Sequence, residues 1–502
     1  MHVNFTSNMS EPGAPEAEAD AVVAGVDVAT AAVRVLCVDG RGRVRAEGGA
    51  PLPAPVRDAE GRSEQDADAW WPAVARALRQ ATGALPGGGR EVVAVAVSAT
   101  SGTLVLADRD GAPLGPALMY DDRRGAPFNR RAQERGADRW AALGLSVGPT
   151  AALGRVGWYA RHAGAPPGAR LLHTPDLLAR RLTGGPVPAD WSHALKTGYD
   201  PLRGEWPDEV LEALGVPGGW LPEVAAPGTG AGTVCAAAAA RTGLPEGCSV
   251  RLGMTDGCAG QLATGAVAPG EFVGVLGTTY VLKGVTRDLV TDPAGAFYSH
   301  RHPDGWWLPG GASNTGGEAL SDTPPDRLAA LDAAAAARGP ASCVRYPLRR
   351  SGERFPFVSG AAHGFTLGTP ADAAEAHRAA LEGVAFLERL ALDRVRALGV
   401  PVAGPLRAAG GGSRSALWNR VRATVLGMPL RVAPRAETAF GAALLAATGT
   451  LHPDLTRAAA AMTAPGEETA PVEAERAALE ESYARFVAEL TDRDWLDPAS
   501  IG

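Results

Sequence analysis

Two stretches far apart in the chain share one local plan, and that restricts the architectures open to it. Val22–Val38 reads VVAGVDVATAAVRVLCV and Phe272–Val285 reads FVGVLGTTYVLKGV. In each, an apolar run of strand type enters a small-residue turn ending in threonine and returns as a second strand. The first turn is Asp27-Val28-Ala29-Thr30 and the second is Gly277-Thr278-Thr279. A strand–turn–strand unit is a common pattern, but 502 residues can bury more than one core. Two such units in one chain predict two similar α/β domains facing each other.

The second hairpin follows a lone carboxylate, Asp256, set between Gly253 and Gly257. Glycine neighbours bring no side chain to shield that carboxylate from a substrate hydroxyl. A small apolar run, Ala259 to Gly265, follows as a helix packed beneath a cleft would. Hydroxyl and backbone N–H groups on the Gly277-Thr278-Thr279 turn suit phosphate oxygens. Taken alone, the same residues also read as a helix-capping Asp and an ordinary hairpin.

Composition removes several classes of function. The net charge of −7, without a basic stripe carrying interleaved aromatics, argues against a nucleic-acid or anionic-membrane partner. No apolar run of membrane-spanning length and no secretory-type N-terminus is present, so a cytoplasmic protein is expected. Five scattered cysteines, Cys37, Cys235, Cys248, Cys258 and Cys343, form no CxxC pair and fit buried thiols in a reducing compartment. Cys258 reads either as a core residue or as part of a cleft wall.

Residues 1–20, polar and rich in Ala, Pro and Glu, read as a disordered tail. Order is expected from Ala21, with a three-stranded meander, a helix over Ala67–Thr82, and strands over Glu91–Val97 and Thr103–Ala107. Ala126–Gly184 reads mostly helical, broken at Pro149, Pro166-Pro167 and Pro175. A long amphipathic helix follows over Asp372–Leu398, with Leu381, Val384, Leu387, Leu390 and Val395 at helical spacing. Then come a strand into Gly410-Gly411-Gly412, a helix over Ser415–Leu426, a strand over Leu430–Ala433, and an alanine-rich helix from about Glu437. No Gly-x-x-x-x-Gly-Lys-Ser/Thr loop occurs, so any ATP must be held by other means.

In this order, and over nearly the whole chain from Ala21, the motifs resemble the FGGY carbohydrate kinases of the actin-like ATPase superfamily. The resemblance implies two ribonuclease-H-like α/β domains with a cleft between them. It divides the chain at 21–265, mainly sugar-binding, and 266–497, mainly ATP-binding. Gly25 to Thr30 resembles the first phosphate hairpin, which implies Asp27 as the Mg²⁺-positioning carboxylate and Thr30 near the γ-phosphate. Ala29 departs from the family's glycine there, and costs on the order of 1 kcal/mol only if the turn needs positive φ.

Asp256 matches the catalytic base, and Gly277, Thr278 and Thr279 match the second phosphate hairpin. Gly411, Gly412, Ser415 and Trp418 fall in the nucleotide half, although the family often has Asn at Ser415. Ser101 and Gly102, in SATSGTLVL, occupy the sugar-contacting loop position, and Asp122 with Arg124 falls beside the sugar in Tyr120-Asp121-Asp122-Arg123-Arg124. Glu64-Gln65-Asp66 with Trp70-Trp71 reads as a structural helix start, with Asp66 as its N-cap.

The blend of TSGT, LMYDDR, HALKTGYD, FYSHR, WLPGGASNTGG and ERFPF is most similar to the pentulose-kinase branch associated with D-ribulose. His300 and Asn314 lie in these matches, either touching ligand or orienting the second domain. The implied activity is ATP- and Mg²⁺-dependent phosphorylation of a pentulose, D-ribulose first, with D-xylulose or another sugar or polyol as the alternative. A sugar substrate and no nucleic-acid or membrane partner are implied, and a homodimer is left open. A catalytically impaired sugar- or nucleotide-binding sensor on the same scaffold is the reading from another class, with a chaperone-like ATPase behind it.

Overall fold

A computed structural model describes residues 21–501; the expected tail at residues 1–20 lies outside the described residues. The first sheet is built from β1 (Val22–Val28), β2 (Ala32–Asp39), β3 (Val44–Pro51), β4 (Val92–Ala99), β5 (Gly230–Thr233) and β6 (Ser249–Thr255), in the order β5-β6-β4-β1-β2-β3. β1, β2 and β3 form the antiparallel meander, and β4 and β6 join β1 in parallel. The second sheet contains β7 (Phe272–Leu276), β8 (Tyr280–Gly284), β9 (Tyr298–Arg301), β10 (Trp307–Ala312), β11 (Leu406–Ala409), β12 (Leu430–Val432) and β13 (Glu468–Thr469), in the order β9-β10-β8-β7-β11-β12-β13. Here β7 pairs antiparallel with β8 and parallel with β11, and β12 follows in parallel. The six strands β3-β2-β1-β4-β6-β5 of the first sheet and β10-β8-β7-β11-β12-β13 of the second thus share one topology. Duplicated domains, not merely duplicated hairpins, explain the internal echo.

Parallel strands need crossover helices that cover both faces of the sheet, and the chain supplies them. β1 is buried along all seven residues. Helix α1 (Trp70–Gly83) packs on β3, where a Cβ at Gly48 would stand 2.1 Å from the Ala77 carbonyl oxygen. Asp66 caps the 3₁₀ turn leading into α1 by accepting from the Asp68 N–H, and Trp70 is buried with its indole N–H donating to Gln65. Helix α2 (Asp256–Ala263) follows β6 directly, and α3 (Ala373–Ala397) and α4 (Ala416–Leu426) pack within the second unit. α3 begins at an Asp372 cap on the Glu375 N–H, as its apolar spacing predicts.

The alanine-rich helix α5 (Thr438–Ala447) belongs to the second sequence segment but packs across the division at 265/266. It lies on the first sheet: a Cβ at Gly25 would stand 1.9 Å from the Ala439 carbonyl oxygen. Its Ala443, Leu444 and Leu445 share a buried cluster with Val23 and Val38 of the first sheet and with Met254 and Leu262. Small side chains allow this close approach, so the second sequence segment supplies part of the first unit's core.

The stretch 126–184 is also less uniformly helical than expected. Arg170–His173 is a strand of a small antiparallel sheet, pairing with Leu104–Ala107, and Pro175 sits in the first turn of the helix Thr174–Thr183 instead of breaking one. All five cysteines are free, and Cys258 is buried in the core, not in a cleft wall.

Candidate active site

Asp256 stands where β6 ends and α2 begins. Gly253 is required by packing and not by access to the carboxylate: a Cβ there would stand 1.9 Å from the Val97 carbonyl oxygen, so the glycine lets β6 lie against β4. The backbone just before Asp256 is anchored because the Thr255 N–H donates to Ser192 Oγ at 2.9 Å, and Ser192 in turn donates to Asp190 at 2.5 Å. The Asp256 carboxylate accepts from the Gly257 N–H at 2.7 Å and stays partly exposed, in keeping with the favourable field at a helix N-terminus.

Asp27 closes β1, opposite Arg34 on β2 and beside Ser98 on β4. It is 5% exposed, and its Oδ1 is buried without a hydrogen-bond partner. Burial pushes its carboxyl up to about 6, the Asp256 charge pushes the same way, and Arg34 opposes both. The two carboxylates are therefore close enough to feel one another. An orphaned, desolvated carboxylate facing a second one is a donor that fits a divalent cation whose remaining ligands are water and phosphate oxygens. Among the described residues no cluster of three His, Cys, Asp or Glu side chains forms a protein-only metal cage.

Ala29, next on the first hairpin, needs no left-handed backbone. Among described residues other than glycine only Asp494 has positive φ. The turn closes with the Ala29 N–H on the Ala32 carbonyl at 3.0 Å, so the alanine carries no backbone strain.

A cavity of about 800 Å³ opens on one side of Asp256, and Ser101 and Gly102 share its wall with that carboxylate. The Ser101 hydroxyl is buried with no partner. Arg155 lies beneath this wall and staples it, its guanidinium donating to the carbonyls of Gly102, Thr150, Asp122 and Tyr120 at 2.6, 2.9, 3.1 and 3.2 Å. Burial lowers the Arg155 guanidinium to about 10, against the pull of Asp122. His300 also lines the cavity, buried, with Nε2 unpartnered. Burial first, then Lys196, Lys283 and His193, hold it well below the usual imidazole range, so it is neutral at neutral pH.

Asp122 does not line this cavity. Its fully buried carboxylate accepts from the Ser63 N–H at 2.8 Å and from Arg124 Nη2 at 2.7 Å. A carboxylate saturated in this way shapes the wall and does not offer itself to sugar hydroxyls, which corrects its placement as a sugar contact. Arg124 bridges Asp122 to Glu64 and lies 4.4 Å over the Trp158 ring. Asn314 is likewise a brace, its N–H on Glu353 at 2.6 Å and its amide on the Gly352 carbonyl at 2.9 Å.

In the second sheet, the Gly277-Thr278-Thr279 turn ends β7. The turn is held by the Gly317 and Glu318 N–H groups, each 2.9 Å from the carbonyls of Gly277 and Thr278, while the Thr278 side chain stays exposed. The Gly410–Gly412 turn presses against the same strand end. Gly410 has φ +88° and a Cβ there would stand 2.5 Å from the Leu276 carbonyl oxygen, while one at Gly412 would stand 2.5 Å from the Leu276 side chain. The glycines bring both turns together. Thr438, at the start of α5, donates to the Asp256 carbonyl at 3.4 Å.

Trp418 is not on this surface, a second correction. It is 3% exposed in the core, with its indole N–H on the Leu381 carbonyl at 3.0 Å. Ser415 caps α4 through the Trp418 N–H at 3.0 Å and donates to Asp332 at 2.7 Å, so its hydroxyl is occupied locally. Motif reasoning passed over Arg155, Lys196 and Lys283. For Arg155 no local signal exists, since its carbonyl acceptors come from three separate segments, at Gly102, Tyr120–Asp122 and Thr150. The lysines were detectable by their scarcity, because only two of the 48 basic residues are lysine.

The sequence matches the FGGY family of carbohydrate kinases, with its N-terminal domain over residues 22–263 and its C-terminal domain over residues 270–450. Xylulose kinase of Streptomyces rubiginosus is 33% identical over 443 residues, covering 85% of this chain and 87% of the relative. Xylulose kinase of Streptomyces coelicolor is also 33% identical, with the same coverage. Among solved structures, xylulose kinase from Rhodospirillum rubrum superposes with a TM-score of 0.83 at 27% identity, covering 94% of this chain and 98% of that one.

Proposed function

The chain belongs to the FGGY family of carbohydrate kinases, phosphotransferases with an alcohol acceptor, and we propose that it phosphorylates a terminal hydroxyl of D-ribulose with ATP and Mg²⁺. The observation that carries the reading is the position of Asp256, on the wall of the Ser101–Gly102 cavity and near enough to Asp27 to raise its carboxyl. That is where a base must stand to serve both a sugar hydroxyl and a γ-phosphate.

In this reading the sugar lies on the unit of residues 21–265 and ATP mainly on that of 266–497. Asp27 holds Mg²⁺, directly or through water, and the ion when bound supplies neutralising charge at the phosphate oxygens. Thr30 and Thr278 donate to phosphate oxygens, with Gly277, Thr279, Gly411 and Gly412 giving the backbone room to approach. The sugar oxygen forms its bond to the γ-phosphorus as the bond to the β-bridging oxygen breaks, and Asp256 accepts the hydroxyl proton. Cleft closure excludes water that would otherwise take the phosphoryl group.

D-Xylulose is the second reading, favoured by the names of the curated relatives. It differs from D-ribulose in the orientation of one hydroxyl, and a site discriminates such isomers by the geometry of single hydrogen bonds. Full-length protein with ATP, Mg²⁺ and a panel of pentuloses, pentoses and polyols is expected to release ADP with D-ribulose at the highest kcat/KM. Asp256→Ala is expected to lower that turnover by about 10³-fold, within the range for a lost general base. Sugar-dependent turnover surviving the substitution removes Asp256 from this role; tight sugar binding with no ADP release favours a sensor.

A further inference from the structure

Arginine supplies the positive charge almost everywhere in this protein. Of 48 basic residues only Lys196 and Lys283 are lysine, and both line the one cavity beside Asp256. If charge alone mattered at those two positions, arginine would be expected there as elsewhere. Lysine differs from arginine in being a compact point charge with three tetrahedral donors and no planar fork.

The surroundings fit that distinction. Lys283 leaves β8 with its Cγ 3.3 Å from where a Cβ at Gly310 would stand, and its ammonium ends 3.0 Å from where a Cβ at Gly257 would stand. Two glycines thus clear the path of one side chain, and the ammonium occupies the space that a side chain at position 257 would fill. Lys196, at the end of the helix Trp191–Lys196, donates to the Tyr298 hydroxyl and lies 4.0 Å over that ring. Among the described residues neither lysine has a carboxylate within ion-pair distance, Asp256 included. The wall therefore presents two charged donors, the unpartnered Nε2 of neutral His300 and the unpartnered Ser101 hydroxyl. Lys283 shares this wall with Ser101, Gly102 and Asp256, and the Gly277–Thr279 turn does not.

We propose that Lys196 and Lys283 are the specificity-determining donors of the site, reading the carbonyl oxygen of an open-chain ketose and its neighbouring hydroxyl oxygen. The inference rests on the pentulose-kinase reading and deepens it. A carbonyl oxygen accepts two hydrogen bonds and gives none, which matches a wall of ammonium groups. The corresponding pentitol brings a hydroxyl proton at that carbon, which neither ammonium group can accept, and the Tyr298 oxygen beside them already accepts from Lys196. A buried polar wall left mismatched is the strongest basis for discrimination a site can have.

The scarcity of lysine makes the test direct. Protein labelled with ¹³Cε-lysine has two side-chain lysine signals, and saturating pentulose without nucleotide is expected to shift both, whereas ATP with Mg²⁺ alone shifts neither. Lys196→Met and Lys283→Met should each raise the KM for the ketose at least tenfold with the KM for ATP within twofold of wild type, the latter also reporting an intact fold. Lys283→Arg keeps the charge and should still raise the ketose KM at least fivefold. Wild type should prefer the pentulose to the matching pentitol at least tenfold in kcat/KM, and Lys283→Met should narrow that gap. Lysine signals unmoved by ketose, unchanged ketose KM in both Met variants, or Lys283→Arg indistinguishable from wild type each overturn the proposal while leaving the kinase reading intact. Wild-type protein without any ketose-dependent ADP release overturns the kinase reading and this proposal together.

Discussion

The hairpins that end β1 and β7 are the same device furnished differently. Both emerge from the central strand of a sheet with the same inner strand order, and both turn without a left-handed residue at Ala29 or Gly277. The first carries a buried, partnerless carboxylate at Asp27, raised toward neutrality by burial and by Asp256. The second carries no charge in its turn and exposes Thr278. Duplication of a sheet thus fixes a like turn at the end of each central strand, while single residues decide what each turn carries. The first hairpin stores an electrostatic cost at neutral pH that a proton, or a bound cation, would relieve; the second stores none.

The largest expected difference lies at Asp27. Asp27→Asn should lower activity about 100-fold or more, the scale seen when a charge-stabilising group is lost from a transition state. It should also stabilise the protein without ligand. Burial holds the folded carboxyl up at about 6, above the ordinary aspartate value of 3.8. Its raised value adds stability that is whole below about pH 4 and is lost as pH rises through 6. At pH 7.5 the ionised group costs about 3 kcal/mol, from roughly two pK units at 1.36 kcal/mol each. Urea denaturation should therefore find Asp27→Asn more stable than wild type at pH 7.5, and the gap should shrink toward zero at pH 4. A variant less stable than wild type at pH 7.5 would show that the first hairpin carries no such cost.

The second hairpin should respond in the opposite sense. Thr278→Val removes one exposed donor of the kind that pairs with phosphate oxygens, worth about 1.5–3 kcal/mol to a charged acceptor. The KM for ATP should rise about tenfold or more, with the sugar KM near wild type and urea stability unchanged at any pH from 4 to 7.5. A pH-dependent change in its stability would erase the distinction between the two turns.

Much of this contrast was legible before any coordinates. The twin hairpins, the Asp372–Leu398 helix, and the placing of Asp256 on a turn before a helix follow from periodicity and turn chemistry, which are local. Other features were hidden because they are made by distant partners. Asp122 reads as a ligand until Ser63 and Arg124 are seen to consume its carboxylate. Trp418 reads as a nucleotide platform until α3 is seen to cover it. That α5 packs on the first sheet is hidden until Gly25 is found against Ala439. Each depends on which faces meet, and a one-dimensional pattern records only that a face is apolar or small.

The smallest expected effect tests the shared geometry itself. If both hairpins needed a left-handed residue, restoring glycine at position 29 would relieve strain and raise activity. Ala29 does not have positive φ, and its N–H already bonds to Ala32 as the turn requires. Ala29→Gly therefore removes no strain and only enlarges the freedom of the unfolded chain, which costs about 0.4–1 kcal/mol where the native conformation suits alanine. Turnover should stay within twofold of wild type while the urea midpoint falls slightly. A rise in turnover of fivefold or more would mean that the alanine methyl crowds the transferred phosphate, and that the two hairpins are matched in backbone but not in the room they leave above it.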